Sequence, residues 1–255
     1  MKYSERLWDS EITPDEHFGD DIPMLHSYLP EIRSGDGAVI IFAGGGYGFR
    51  AFHESEPYAM ELNKMGVAAF VVDYRVLPEK PNFPVADAIK AMRTVREKAE
   101  EYMINPNKIA VMGSSAGGHL AAICGNFDPW MRPNAQILCY PVTDVESHRG
   151  SYENLLGDDI ETADFWSPIT QAREYTPPTF IWHTSCDSLV DVKGTYRYAT
   201  RLSELGVPVE MHIYPVGDHG LGLARGLYGS GTEEYVQRWT EDLERWLKLL
   251  GWINS

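Results

Sequence analysis

Residues 109–118 read Ile109-Ala-Val-Met-Gly-Ser-Ser-Ala-Gly-Gly118. Four apolar residues run into a glycine-flanked serine, and an apolar, small-residue segment from Ala116 to Cys124 follows. A continuous apolar run of this kind fits a strand buried on both faces. The pattern G-x-S-x-G where such a strand gives way to a helix is the nucleophile elbow, with its middle serine at the apex. The turn is so tight that a Cβ at the flanking positions would strike the neighbouring strand and helix, so glycine is required there. Ser115 is therefore the candidate nucleophile, held out at a strand tip and at the N-terminus of the next helix. That helix end favours negative charge developing on a bound substrate. Ser114 lies off the apex.

Outward from this elbow the same grammar repeats. Ala38-Val-Ile-Ile-Phe-Ala43, Val67-Ala-Ala-Phe-Val-Val72, Ala135-Gln-Ile-Leu-Cys-Tyr140 and Thr179-Phe-Ile-Trp182 are short apolar runs, as is Val207-Pro-Val-Glu-Met-His-Ile213. Pro208 must sit at a strand start or edge. Between the runs lie helical patterns. From Pro84 to Met103, Val85, Ala88, Ile89, Met92, Val95, Ala99 and Tyr102 recur at three- and four-residue intervals, opposite Glu97, Lys98 and Glu101. Asn105-Pro106-Asn107 stops that segment. A last helix is expected over residues 233–250, with Val236, Trp239, Leu243, Trp246, Leu247 and Leu250 on one face. Strands alternating with helices imply right-handed crossovers and a mostly parallel, doubly wound α/β sheet. Residues 1–255 read as one domain. The irregular stretch 148–178, with Asn154-Leu-Leu-Gly157 and Asp164-Phe-Trp-Ser-Pro168, is expected to be a small cap insert covering the site.

A serine hydroxyl needs a base, usually a histidine held by a carboxylate, and in an elbow fold the chain order is Ser, acid, His. Beyond the elbow's helix stand His148, His183, His212 and His219. His183 and His212 lie in or at the ends of apolar strands, where a structural role is expected, and His148 begins the irregular insert. His219, in Pro215-Val-Gly-Asp-His-Gly220, lies in the loop after the last strand and is the candidate base. Asp187, shortly after the strand at 179–182, is the candidate acid. Asp191 reads as the N-cap of a helix beginning near Val192, and Asp218 as an orderer of the histidine loop. The oxyanion hole requires backbone N–H donors. These are assigned to Ala116, next to the nucleophile, and to Gly45 and Gly46 in the glycine run after the first parallel strand. Neither G-x-G-x-x-G nor a Walker lysine is present, which argues against a nucleotide site.

Composition narrows the function further. The chain has 255 residues, 44% of them hydrophobic, and a formal net charge of −15. The acidic surplus argues against nucleic acid or an anionic membrane as partner. Three cysteines without a C-x-x-C spacing point to a reducing compartment. The charged N-terminus lacks the apolar run of a signal peptide, and no stretch reaches the roughly 18 apolar residues of a membrane span. A cytoplasmic location is expected. No histidine/carboxylate cluster has metal-ligand spacing, so neither metal nor cofactor is expected. A homo-oligomer is compatible with the sequence.

The motif set resembles the α/β-hydrolase carbohydrate esterases, particularly the acetyl xylan esterase-like group. The blocks that carry the resemblance start with Gly44-Gly-Gly-Tyr47, His53-Glu-Ser-Glu-Pro57 and Asp73-Tyr-Arg-Val-Leu-Pro78. They continue with Gly113-Ser-Ser-Ala-Gly-Gly-His-Leu120, Ser167-Pro168 and Pro177-Pro-Thr-Phe-Ile-Trp-His-Thr184. Asp187 with Val190 and Asp218-His-Gly-Leu-Gly-Leu223 complete the family order. The resemblance implies an α/β-hydrolase domain that moves an acetyl group from a sugar hydroxyl to Ser115 and then to water. It also carries the triad onto Ser115, Asp187 and His219, and the oxyanion hole onto Gly45, Gly46 and Ala116. Two departures stand out: Ala43 replaces the histidine of related lipases, so the glycine loop must be braced differently, and Cys186 replaces the first of two aspartates at the acid position. Tyr47 and Trp166 are candidate platforms for a sugar ring. The charge favours acetylated neutral oligosaccharides, xylan-derived ones first, over pectin. The rivals are a general short-chain carboxylesterase or serine peptidase on the same fold, and a non-catalytic carbohydrate-binding relative.

Overall fold

The apolar runs are continuous where a strand buries both of its faces, as the central-sheet strands from Ala38–Phe42 through Thr179–Thr184 do. Along Ala38–Phe42, Ile40 and Phe42 join one core while Val39 and Ile41 join another on the opposite face. The computed structural model describes residues 2–8, 22–77 and 82–254. Pro78, which closes one of the motif blocks, and residues 1, 9 and 10 of the N-terminal stretch lie outside the described residues.

Eight strands form one sheet: β1 (Lys2–Arg6), β2 (Met24–Tyr28), β3 (Ala38–Phe42), β4 (Ala68–Asp73), β5 (Ile109–Ser114), β6 (Ala135–Cys139), β7 (Thr179–Thr184) and β8 (Val209–Tyr214). Their spatial order is β1-β2-β4-β3-β5-β6-β7-β8. The six strands from β3 to β8 pair in parallel, and β1 and β2 add an antiparallel edge against β4. The chain is thus an α/β fold with a mostly parallel, doubly wound sheet. All six expected core strands are present, and β8 begins just after Pro208 as a strand proline requires.

The helices are α1 (Glu56–Lys64), α2 (Asn82–Glu97), α3 (Ser115–Cys124), α4 (Arg149–Leu156), α5 (Pro168–Gln171), α6 (Val192–Glu204), α7 (Glu234–Gln237) and α8 (Trp239–Leu249). Side chains of α2, α3 and α6 pack on one face of the sheet, and those of α1 and α8 on the other. Every residue of α3 is buried, in keeping with its apolar, small-residue composition. Two expected boundaries move. The helix read to Met103 ends at Glu97, although Ala99 and Tyr102 still reach the same core from the turns that follow. The C-terminal helix is two helices divided at Arg238, both of which keep their apolar residues on the core. The stretch 148–178 is more regular than expected. It holds α4, a 3₁₀ segment at Gly157–Thr162 and α5. Tyr152, Leu155, Leu156 and Ala163 from this stretch enter the main core. Among the described residues no helix is long and apolar enough to cross a membrane.

Candidate active site

The site lies at the C-terminal tips of the parallel strands, where ligands gather in open α/β sheets. Strand β5 turns directly into α3 at Ser115, whose φ of 53° places a non-glycine residue in the left-handed region. Close packing explains the glycines on either side. A Cβ on Gly113 would come within 2.1 Å of the Gly117 carbonyl oxygen, and a Cβ on Gly117 within 2.1 Å of the Phe42 oxygen. Ser114 lies 3.0 Å from the Tyr58 hydroxyl and faces the interior.

His219 comes from the loop after β8, and Asp187 from the loop after β7. His219 Nε2 is 3.0 Å from Ser115 Oγ, and its Nδ1 is 2.7 Å from Asp187 Oδ2. A carboxylate only accepts, so Nδ1–H donates to Asp187 and Nε2 is left to receive the serine proton. Asp187 Oδ1 accepts the Leu189 and Val190 N–H groups at 2.9 and 2.8 Å. Burial opposes the charge on Asp187, but the hydrogen bonds it accepts from His183, His219 and the Val190 N–H outweigh it. Its carboxyl is held well below the usual carboxylate range.

The competing residues are engaged elsewhere. Asp191 caps α6 by accepting the Lys193 N–H at 3.0 Å. Asp218 Oδ1 accepts the Ser188 N–H and O–H and the His219 N–H, which staples the histidine loop to the acid loop. His212 pairs with Glu210. His183 has a larger part than its strand position suggested. It is fully buried, and its Nε2 lies 3.0 Å from the same Asp187 oxygen that holds His219. His148 caps α4, with Nδ1 accepting the Ser151 N–H at 3.1 Å.

The glycine loop follows β3. Gly45 and Gly46 have φ of 124° and 61°, conformations natural only to glycine. Among the described residues no protein acceptor takes the N–H of either glycine. With alanine at 43, other groups brace this loop. Tyr74 Oη donates to the Ala43 carbonyl at 2.6 Å, Gly44 N–H donates to the buried Glu54 Oε2 at 2.7 Å, and Asn154 Nδ2 donates to the Gly46 carbonyl at 2.8 Å.

A family model described as the alpha/beta hydrolase fold matches residues 39–223, from β3 through the elbow to the loop just past His219. This chain belongs to the α/β-hydrolase family. Among solved structures, this hydrolase superposes on the acetyl ester-xyloside bifunctional hydrolase from Caldicellulosiruptor lactoaceticus with a TM-score of 0.90 and 39% identity, covering 99% of this chain and 97% of that one. It is 36% identical to the acetylxylan esterase of Xylanibacter ruminicola, over 87% of this chain and 47% of that protein. It is also 33% identical to endo-1,4-beta-xylanase B of Butyrivibrio fibrisolvens, over 90% of this chain and 39% of that protein. The chain therefore spans less than half the length of these two curated relatives.

Of the two candidate sugar platforms, Tyr47 needs correction. Tyr47 is only 1% exposed, its hydroxyl is 2.7 Å from His119 Nδ1, and its ring packs edge-on against Tyr74 and His119. Enclosed by these neighbours, it offers no open face to a ligand. Trp166 is half-buried, packs on the core, and accepts from His119 Nε2 through its carbonyl at 2.8 Å. The exposed aromatics near the loop are Phe49, whose N–H donates to the Gly45 carbonyl, and Phe52, which meets the exposed Tyr228 edge-on at 4.8 Å. The sequence signal for them was the aromatic spacing directly after the glycine run.

A second serine–histidine–aspartate set joins Ser4, His26 and Asp73 across the antiparallel edge, at 2.7 and 2.8 Å. Ser4 lies on the exposed edge strand β1 rather than at a strand-to-helix elbow. Among the described residues no group of three or more His, Cys, Asp or Glu side chains is placed to hold a metal ion.

Proposed function

We propose that this hydrolase is a serine esterase that removes acetyl groups from acetylated sugars, with xylan-derived oligosaccharides as its substrate class. The observation that carries the reading is the continuous path Ser115–His219–Asp187, at 3.0 and 2.7 Å, beside the uncommitted N–H groups of Gly45 and Gly46. In this reading His219 Nε2 takes the Ser115 proton as Oγ attacks the acetyl carbonyl. The oxyanion is held by the N–H groups of Gly45, Gly46 and Ala116. Collapse breaks the bond to the sugar oxygen, which receives the proton from His219. Water then gives its proton to His219 and attacks the acetyl-Ser115. Acetate departs and the serine proton is restored.

The names of the three relatives, two of them acetyl-ester hydrolases and one a xylanase, support the substrate class. The net charge of −15 supports a neutral sugar over a polyanion. Phe49, Phe52 and Tyr228 supply the exposed ring faces on which the C–H face of a sugar packs, in place of Tyr47. Residues 1–255 act as one domain in which 148–178 form the cover. The Asn154 bond to Gly46 and the His119 bond to the Trp166 carbonyl tie that stretch to the site. Three free thiols support a cytoplasmic location.

The test compares rates on acetylated xylo-oligomers, acetylated pectin fragments, simple short-chain esters and peptidyl amides, each with wild type and Ser115→Ala. Xylo-oligomers should be turned over fastest, and Ser115→Ala should lower kcat by about 10⁴–10⁶. Faster pectin cleavage would sink the charge argument. Cleavage of amides but not acetyl esters would make the protein a peptidase, and binding without turnover would make it a carbohydrate-binding relative.

A further inference from the structure

Behind the candidate site lies a buried carboxylate that the proposed chemistry does not use. Glu54 ends the 3₁₀ turn Phe52–Glu54 and is only 2% exposed. Its two oxygens face opposite sides of the site. Oε2 accepts the Gly44 N–H at 2.7 Å, at the root of the loop that carries Gly45 and Gly46. Oε1 accepts the Tyr140 hydroxyl at 2.6 Å. That hydroxyl in turn accepts the Gly222 N–H at 2.9 Å, three residues after His219, and the Tyr140 ring meets the His219 ring edge-on at 5.1 Å. The neighbouring His53 reinforces the link, since its Nε2 donates to the Gly220 carbonyl at 2.9 Å and lies 3.5 Å from Glu54 Oε1.

We propose that Glu54 is a positioning residue that sets the oxyanion loop and the histidine loop in register with each other, acting through Gly44 on one side and Tyr140 on the other. The inference rests on the serine-esterase reading above. Its physical basis is the shape of the carboxylate. Two acceptor oxygens on one rigid, buried group fix two donors at a set separation, and those donors anchor the two backbone segments between which an acetyl carbonyl would sit. Space allows little substitution: a Cβ on Gly44 would lie 2.6 Å from Glu54 Oε2 and 3.0 Å from Ser115 Cβ, so the carboxylate, the loop root and the elbow are packed against one another. Tyr140 itself is held with φ of 37°, a left-handed conformation that a residue of its size adopts only when its surroundings demand it.

Glutamine at 54 has nearly the same volume but one carbonyl acceptor in place of two, so it cannot accept from Gly44 and Tyr140 together. The experiment takes Glu54→Gln, Tyr140→Phe and the double variant of the full chain. It measures kcat and KM on p-nitrophenyl acetate, affinity for an alkyl boronic acid that bonds to Ser115 and fills the oxyanion hole, and thermal unfolding. A misplacement of about an ångström costs on the order of a hundredfold in rate. Glu54→Gln should therefore lose roughly tenfold to a hundredfold in kcat, with KM changing less than about threefold and boronate affinity falling in parallel with kcat. The double variant should be no slower than Glu54→Gln alone, because both changes cut one connection.

A folded Glu54→Gln with wild-type kcat and boronate affinity would overturn the proposal, as would losses in the two single variants that multiply in the double. Should Glu54→Gln fail to fold, Tyr140→Phe decides alone: it keeps the carboxylate, and wild-type kcat in that variant would overturn the link. The underlying reading is checked separately by Ser115→Ala, since retained activity there would remove the nucleophile assignment whatever Glu54 does.

Discussion

Acid should weaken this protein through one identifiable ring. His119, on α3, is 2% exposed and sits between Tyr47 of the glycine loop and the Trp166 carbonyl. The carbonyl only accepts, so Nε2 carries the proton and Nδ1 accepts from the Tyr47 hydroxyl, which leaves no place for a second proton. Burial pushes its pKa down from 6.5 to about 4, against a smaller opposing effect of the Trp166 carbonyl. The folded-state value lies below the unfolded one, so the unfolded chain binds more protons between the two, and stability falls as pH drops through that window. At pH 5 the unfolded imidazole is mostly protonated and the folded one mostly neutral. With about 1.4 kcal/mol for each tenfold in protonation, the gap of roughly 1.5 pH units below 6.5 favours unfolding by about 2 kcal/mol. Urea unfolding at pH 7 and pH 5, followed by tryptophan fluorescence, should show wild type losing about 2 kcal/mol more than a His119→Gln variant, which has nothing to titrate there. Equal losses in the two proteins would refute the reasoning.

Other expectations are simpler. Asp187→Asn should lower kcat by about 10⁴ on p-nitrophenyl acetate, because an amide no longer fixes the His219 tautomer; a loss under tenfold would remove Asp187 from the relay. Gly117→Ala drives a Cβ to within 2.1 Å of the Phe42 oxygen and should cost about 3 kcal/mol or more in urea unfolding, whereas Gly46→Ala has no neighbour closer than 3.9 Å and should cost only about 1–2 kcal/mol, for its left-handed backbone. Reversal of that ranking would contradict the packing at the elbow. Cys186 is the exposed thiol, donating to the Pro215 carbonyl at 2.9 Å beside the histidine loop, while Cys124 and Cys139 are buried. A bulky maleimide should slow turnover in wild type and leave Cys186→Ser unaffected, as initial rates before and after labelling would show.

The central sheet was legible because β3 to β7 are buried on both faces and so write near-continuous apolar runs, whereas the half-exposed β8 showed through Val209, Met211 and Ile213 alternating with polar residues. The antiparallel edge was not. β1 is exposed at four of its five positions, and β2 carries His26 and Ser27 among its apolar residues. The break at Arg238 escaped notice because Val236, Trp239 and Leu243 face the same core from both sides of it. At the site, Ser115, His219 and Asp187 stood out because chain order and strand position restrict which residues reach the sheet tips. Glu54 did not: within Phe-His-Glu-Ser-Glu-Pro it looks like surface charge before a helix, and only the packing of Gly44 and Tyr140 around it takes it out of water. Tyr47 misled for the complementary reason, since a ring beside a glycine loop looks available until His119 and Tyr74 pack around it.

The convergence of two imidazoles on Asp187 has a consequence for the turnover cycle. The carboxylate takes hydrogen bonds from His183, His219 and the Leu189 and Val190 amides, so three anchors persist whenever the His219 ring swings aside. In the proposed esterase cycle the acid would act as a fixed post and the base as a hinged arm. On that reading the sugar leaves past a turned imidazole without disturbing the post, and readiness for the next substrate is regained by rotation of a single side chain.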